Sequence, residues 1–396
     1  MNNLKYSLII LTLVSVVADS MLLPFYSQFF AEAFDVHSSQ MVGYYIAVSC
    51  LTVTVSFPFW TRVAEKVNEV HLWIYTQIIA GILGLACYYT TSLLQFWILS
   101  QLMLMFKASY LLIYPFVIRL EEKEKHVNMV SLFSVLMHFG AIGGALLGGV
   151  ILQMFNAKDA YLVMPFSDAI QVVVCIFIIL KLKVPFSAEK RLETVPCVTS
   201  TSHKRFILNL GVVSMLFYFS VFLIRPFFSL YWQSISEIQS EVLSGFVYSI
   251  PGWVALVGLW FNNRSKHSER HIQSILAAIC IAIAGLMIQS SEQAWIVVLG
   301  RGIFGWGLFQ ATVRLEVFMF ARSTPDNYAK DFSRVYLFQN IGVIGASFAI
   351  GYIVDHGSLV TPFYIGTLGL IVSTIYFAMV FKKRSHTTSI NVQEAK

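Results

Sequence analysis

The sequence predicts an all-α integral membrane protein, with twelve transmembrane helices in two pseudo-symmetric six-helix bundles. Three observations carry this. Of the 396 residues, 57% are hydrophobic and 12% are charged, about half the charge of a soluble protein, and the mean hydropathy is +0.71. Of the 27 Lys and Arg residues, 22 fall in alternate inter-helix segments or at their edges, all on one predicted face. Only Lys158 falls in a segment on the other face. That bias marks cytoplasmic loops. Finally, residues of the first half recur in the second at a constant offset.

A hydrocarbon core about 30 Å thick takes roughly 20 apolar residues per helix. On that scale the spans read as 5–30, 41–61, 72–91, 96–118, 129–154 and 161–182, then 205–233, 241–262, 272–290, 294–321, 334–355 and 362–381. The apolar run from Tyr6 to Phe30 is longer than the core of a signal peptide, so it is expected to be the first span. Residues 1–182 are thus expected to form one bundle and 205–381 the other. Between them, 183–204 is a charged, Ser/Thr-rich linker with two prolines, and 382–396 is a tail that begins Lys382-Lys383-Arg384. An even number of spans places both termini in the cytoplasm, in a chain expected to lie in the cytoplasmic membrane.

The offset is 202 residues. Pro24-Phe25-Tyr26-Ser27 matches Pro226-Phe227-Phe228-Ser229, and Gly43 matches Gly245. Arg62 matches Arg264, Gly140-x-Ile142-Gly143 matches Gly342-x-Ile344-Gly345, and Gly149 matches Gly351. Matches at one register argue for duplication. Two six-span halves insert in the same orientation, related by an axis along the membrane normal, and the cleft between such halves is the natural solute route.

Several function classes drop out. The net charge of +6 comes from short loops between apolar spans, so it sets topology and contacts membrane lipids rather than nucleic acid. Four of the five cysteines lie deep in apolar runs and none form a C-x-x-C pair, so neither a disulfide framework nor a metal site is expected. No cofactor is expected. The sequence holds no phosphate-binding loop and no nucleophile constellation, which argues against an enzyme.

Seven ionisable side chains are predicted inside spans: Asp19, Lys107, Asp168, Arg225, Arg301, Arg314 and Glu316. At a helix centre each costs about 2.5–3.5 kcal/mol or more, so each needs a partner or a water-filled cavity. Lys107 lies 11 residues past Phe96, about 16 Å along a helix and close to the midplane. Asp19 is also deep. Such a carboxylate can load and release a proton as its access alternates, and a pair with Lys107 that breaks and reforms would couple proton to solute. Asp168, only a few residues inside its span, reads as structural. For Arg225 and Arg301 the alternative is snorkelling to the outer surface; for Arg314 it is pairing with Glu316 or a loop acid. If Lys107, Arg225, Arg301 and Arg314 face the cleft, they favour an anionic or zwitterionic solute.

Phe25 and Tyr26, with Phe227 and Phe228, occupy equivalent places and are expected to frame an outer vestibule. Pro24, Pro226 and Pro251 are expected to bend their helices. Gly140, Gly144 and Gly148 share one helix face, which lets a neighbouring helix approach and slide.

The run Gly140-Ala-Ile-Gly-Gly144-Ala145-Leu-Leu-Gly148-Gly149 is similar to the fifth-helix signature G-x-x-x-G-P-x-x-G-G of the major facilitator superfamily, with Ala145 where Pro is usual. The loop Thr61-Arg-Val-Ala-Glu65-Lys66-Val-Asn68-Glu69 stands where that family has G-x-x-x-D-R-x-G-R-R. Arg301-x-x-x-Gly305-x-Gly307 is similar to its fourth-helix motif but falls in the second half. The chain therefore resembles twelve-span drug:proton antiporters over nearly its whole length. The resemblance implies proton-coupled efflux of a small organic solute, a drug or a siderophore-like or other acidic metabolite. It also implies a gating role for Gly149 and the other helix-5 glycines, and a charge latch at Glu65 and Lys66. The chain is expected to function as a monomer, with protons and the solute as its partners. Alternatives are a metabolite importer or uniporter, or a transport-inactive receptor or scaffold.

Overall fold

The computed structural model describes residues 2–119, 126–187, 201–264, 271–323 and 328–382. The expected linker, over 188–200, and the expected tail beyond 382 lie outside them. Among the described residues the secondary structure is helical, apart from one isolated bridge between Val67 and Ser187. Eleven helices are long and apolar enough to cross a membrane, and Ile272–Ile288 is a shorter apolar one. The fold is thus an all-helical membrane bundle, as the composition requires: in hydrocarbon the backbone must satisfy its own polar groups.

The chain forms two compact units, Met1–Thr194 with Ile238–Trp253, and Val195–Glu237 with Val254–Lys396. In the first, the helices are α1 (Asn2–Ser20), α2 (Tyr26–Phe34), α3 (Ser39–Val63), α4 (Glu69–Tyr89), α5 (Leu93–Lys107), α6 (Ile113–Arg119), α7 (His126–Met154) and α8 (Ala160–Leu182). Then follow α9 (Thr201–Phe222), α10 (Phe228–Ile235), α11 (Glu241–Arg264), α12 (His271–Ile288), α13 (Ala294–Arg322), α14 (Tyr328–His356) and α15 (Thr361–Phe377). The first half of α11 belongs to the first unit, the second half to the other.

The 202-residue register is written into the helix boundaries. Tyr26 and Ser39 open helices, and so do Phe228 and Glu241, each 202 residues later. Pro24 sits in a 3-10 turn between α1 and α2, and Pro226 in the turn between α9 and α10. Both break their spans, since proline lacks the N–H that would continue the ladder. Pro251, by contrast, stays inside an unbroken α11.

Glycines set the closest crossings. A methyl at Gly148 would meet the Met21 carbonyl, and one at Gly144 would meet Ser20 and the Val17 carbonyl, so α7 lies directly on α1. The opposite face of α7 meets the first half of α11. There a methyl at Gly149 would come 2.9 Å from the Glu241 carbonyl carbon and one at Gly252 2.8 Å from Ile142, while Gly245 faces the Ala145 carbonyl. Small residues at such contacts let backbones touch where no hydrophobic force separates helix from lipid. That contact accounts for the first half of α11 lying with α7. In the second unit Gly307, from the Arg301 motif, packs α13 on the Ala282 backbone of α12.

Candidate functional site

Three of the membrane-embedded charges meet at one point in the first unit. Lys107 Nζ donates to Asp19 Oδ1 and to Asp168 Oδ1, both at 2.7 Å. Asp19 comes from the last turn of α1, Lys107 ends α5, and Asp168 lies in α8. The lysine is buried, as any amine at this depth must be paired to remain charged. Its partners differ sharply: the Asp168 side chain is 1% exposed and that of Asp19 41%. Ser15 Oγ, one turn back on α1, also donates to Asp19 at 3.2 Å.

Asp168, read from the sequence as structural, is brought against Lys107 by this geometry. Gly81 of α4 lies beside Asp168: an added methyl there would make ordinary contact, 3.8 Å from the Asp168 Cβ. With both acids ionised the cluster carries one net negative charge. Protonation of either acid leaves a neutral Lys–Asp pair. Of the two acids, Asp19 is the exposed one.

Local backbone geometry delivers Lys107 to this point. The α-helix ends there and continues as a 3-10 turn over Ala108–Leu112 before α6 begins. Such a turn inside a span leaves carbonyls without their usual partners. Neighbouring side chains supply donors: Trp73 Nε1 to the Ser109 carbonyl at 3.1 Å, and Trp60 Nε1 to the Met105 carbonyl at 2.6 Å. Thr76 Oγ1 and Ser109 Oγ are 2.7 Å apart.

Neutral polar groups escaped the sequence reading because it weighed charge alone. Gln77 and Gln171 are each 1% exposed. The Gln77 amide nitrogen, both polar atoms of the Gln171 side chain and Asp168 Oδ2 have no hydrogen-bond partner among the described residues. Gln101 receives a bond from Thr52 and donates to Ser49, linking α5 to α3 six residues before Lys107.

Arg301 and Arg314 each meet neutral groups of the second unit. Arg301, 4% exposed, lies with its guanidinium 4.0 Å from the centre of the Phe228 ring, and its Nη1 is 3.4 Å from Gln289 Oε1. It does not snorkel. Arg314 donates to Gln310 Oε1 and to the Ser274 carbonyl, both at 3.2 Å, so the expected pair with Glu316 does not form. Residues two apart on a helix point to different sides. Arg225 lies 5.9 Å from the Phe222 ring centre. Glu316 has no hydrogen-bond or ion-pair partner among the described residues and lines a recess with Ser214, Tyr218, Thr312 and Gln339.

Two other expectations meet a different arrangement. Phe25, Phe227 and Phe228 are at most 3% exposed and are packing residues, so they frame no open vestibule here. Tyr26 is part-buried against Tyr45, with ring centres 5.3 Å apart. Glu65 and Lys66 are exposed, and neither has an ion pair among the described residues. Their loop is held instead by backbone: Asn68 N–H donates to the Phe186 carbonyl at 2.9 Å, and Asn68 caps α4.

The Major Facilitator Superfamily model matches residues 8–317. A multi-drug resistance efflux pump PmrA homolog of Lactococcus lactis is 21% identical over 274 residues, covering 66% of this chain and 67% of that protein. The multi-drug resistance efflux pump PmrA of Streptococcus pneumoniae is 22% identical over 343 residues, 82% of this chain and 83% of its own. Among solved structures, the POT family transporter PepTSo superposes with a TM-score of 0.77 at 10% identity, covering 98% of this chain and 99% of that one. The nucleoside transporter NupG gives 0.70 at 13%, covering 96% and 100%. These likenesses, at low identity, establish the fold.

Proposed function

Because the chain belongs to the Major Facilitator Superfamily, we propose that it is a secondary transporter exporting a small organic solute in exchange for protons, with Asp19, Lys107 and Asp168 as the coupling centre. The observation that carries this is one buried lysine shared at 2.7 Å by two carboxylates of unequal exposure. A permanent structural ion pair has no need of a second, half-exposed acid. When Asp19 takes a proton, Lys107 is left to Asp168 alone and α1 is released from α5. When Asp19 loses it, the three-membered cluster reforms. Asp168 is the fixed anchor and Asp19 the moving partner.

The glycine contacts make the rest of this cycle physically reasonable. α1 rests on α7 through Gly144 and Gly148, and α7 in turn meets α11 through Gly149. A shift of α1 at Asp19 is therefore passed to α7 without large side chains in the way. Export is the direction of the named efflux relatives. In this reading the protein works as a monomer in the cytoplasmic membrane with both termini inside.

The test is proton flux from vesicles reconstituted with the purified chain. Solute-driven proton movement is expected in the wild type and lost in Asp19→Asn. Full coupling in that variant, or uptake of solute that ignores an imposed pH gradient, would remove the proton role.

A further inference from the structure

The α3–α4 loop, expected to carry a charge latch at Glu65 and Lys66, is held from another side. Residues 184–187, which follow α8, run along it as an extended segment. His71 Nε2 donates to the Val184 carbonyl at 3.0 Å, and the Asn68 N–H donates to the Phe186 carbonyl at 2.9 Å. Val67 and Ser187 form an antiparallel bridge. Alternate residues of an extended chain face the same way, so the carbonyls at 184 and 186 both serve the loop. Pro185, between them, lacks an N–H and takes the unpaired edge, where a strand tolerates proline. The Phe186 ring meets the His71 ring edge-on, with 5.4 Å between centres.

This contact differs from the helix packing around it. α8 ends on Lys183, whose φ of 49° is left-handed. Such a backbone is costly for a residue with a long side chain, and it persists where docked neighbours hold it. The docking itself is slight. Pro185, Phe186 and Ser187 are exposed, and only Val184 is part-buried against the core of the first unit. A segment with so few buried contacts opens locally at far lower free energy than the helices beside it. From Ser187 the chain leads through 188–200 to α9, which belongs to the other unit. A displacement of α9 is therefore passed along the chain to this contact.

We propose that residues 184–187 are a releasable strap, which fixes the α3–α4 loop to the end of α8 when docked and frees it when released, and that the transport cycle passes through both states. The proposal rests on the transporter reading above and adds a conformational step outside the coupling centre. The strap does the holding expected of Glu65 and Lys66, with backbone carbonyls in place of charges. Asn68 is central to it. Its N–H meets the strap, while its side chain caps α4 by accepting from the Val70 N–H at 3.0 Å. His71, on the first turn of α4, takes the second carbonyl. Salt, which screens a charge latch, leaves such a strap in place.

Amide hydrogen exchange of the purified full chain in lipid nanodiscs, read residue by residue, tests release. The Asn68 N–H is expected to exchange roughly 100-fold faster than the Thr76 N–H inside α4, the mark of local opening. In Val67→Cys/Ser187→Cys, made with Cys197→Ser to remove the next thiol along the chain, two residues paired across a bridge stand close enough for a disulfide. Oxidation should slow Asn68 exchange roughly 10-fold or more and reduction restore it, with Thr76 unaffected. His71→Ala, which loses one bond and the ring contact, should speed Asn68 exchange by about 10-fold. In vesicles with ethidium as the probe solute, proton movement should stop on oxidation and resume on reduction. The proposal is overturned if the disulfide does not form, if Asn68 exchanges as slowly as Thr76, or if the oxidised protein moves protons at the reduced protein's rate. The two readings fail separately. Exchange reports release whatever solute the vesicles accept, and absent proton flux in the wild type sinks the coupling mechanism whatever the strap does.

Discussion

Asp19, Lys107 and Asp168 meet at one level of the first unit; 202 residues further on, the corresponding positions are Val221, Phe309 and Leu370. All three are at most 4% exposed, so the second unit fills the same place with hydrocarbon. The backbone differs in step. After Lys107 the span passes through a 3-10 turn, whereas α13 runs unbroken for 29 residues. Trp60, Trp73 and Ser109, which brace that turn, correspond to Asn262, Ile275 and Ala311. Of these, Ile275 and Ala311 have no polar side-chain group, and Asn262 is engaged with the side chain of Gln310. A duplicated frame thus carries a Lys–Asp–Asp cluster in one copy and buried apolar side chains at the corresponding positions in the other. The chemistry belongs to the copy that supplies donors for an irregular helix.

The largest break in this comparison comes from the helix crossings. Gly148 corresponds to Ile350, which is fully buried in the second unit. Gly148→Ile nevertheless has no room, because the methyl would strike the Met21 carbonyl. We expect no folded protein from it by size-exclusion chromatography, since a backbone contact cannot yield as a side chain does. Next come the charges. Lys107→Met leaves two carboxylates facing each other and should lower stability by about 3–5 kcal/mol, read by thermal unfolding in lipid. Asp168→Asn removes the fully buried partner and should cost about 3 kcal/mol. Asp19→Asn removes a half-exposed one and should cost about 1 kcal/mol or less. A larger stability loss at Asp19 than at Asp168 would reverse the roles of anchor and moving partner.

Glu316→Gln should act in the opposite sense. It relieves an unpaired carboxylate, and we expect unfolding at equal or higher temperature than in the wild type. A fall in unfolding temperature would show that Glu316 has a stabilising partner. The smallest effect belongs to Gly302, where an added methyl would meet nothing within 4 Å. Gly302→Ala should be neutral or stabilise by up to about 1 kcal/mol through helix propensity.

How much of this was legible in the sequence follows from what each signal measures. Span positions and the 202-residue register emerged because hydropathy and glycine spacing are local, and the helix starts at Tyr26 and Phe228 keep that register. Lys107 and Asp19 stood out by depth along a single helix. Asp168 did not, because its importance lies in which helix it faces: α8 meets α4 at Gly81, a fact about packing between segments far apart in sequence. The partners of the arginines were hidden for the same reason. Arg301 finds Gln289 and Phe228, and Arg314 finds a carbonyl 40 residues away at Ser274. Neutral partners carry no charge signal, so the sequence could not point to them. Phe25 and Phe228 looked like vestibule residues because equivalence between halves is visible while the direction of a side chain is not.

The central claim is that Asp19, and not Asp168, carries the exchangeable proton while Lys107 remains paired. Infrared difference spectra of the full chain in lipid, recorded on acidification, read this directly through the carboxylic C=O stretch. A band that is present in the wild type and in Asp168→Asn but missing in Asp19→Asn is the predicted result. A band that survives in Asp19→Asn and disappears in Asp168→Asn would contradict it.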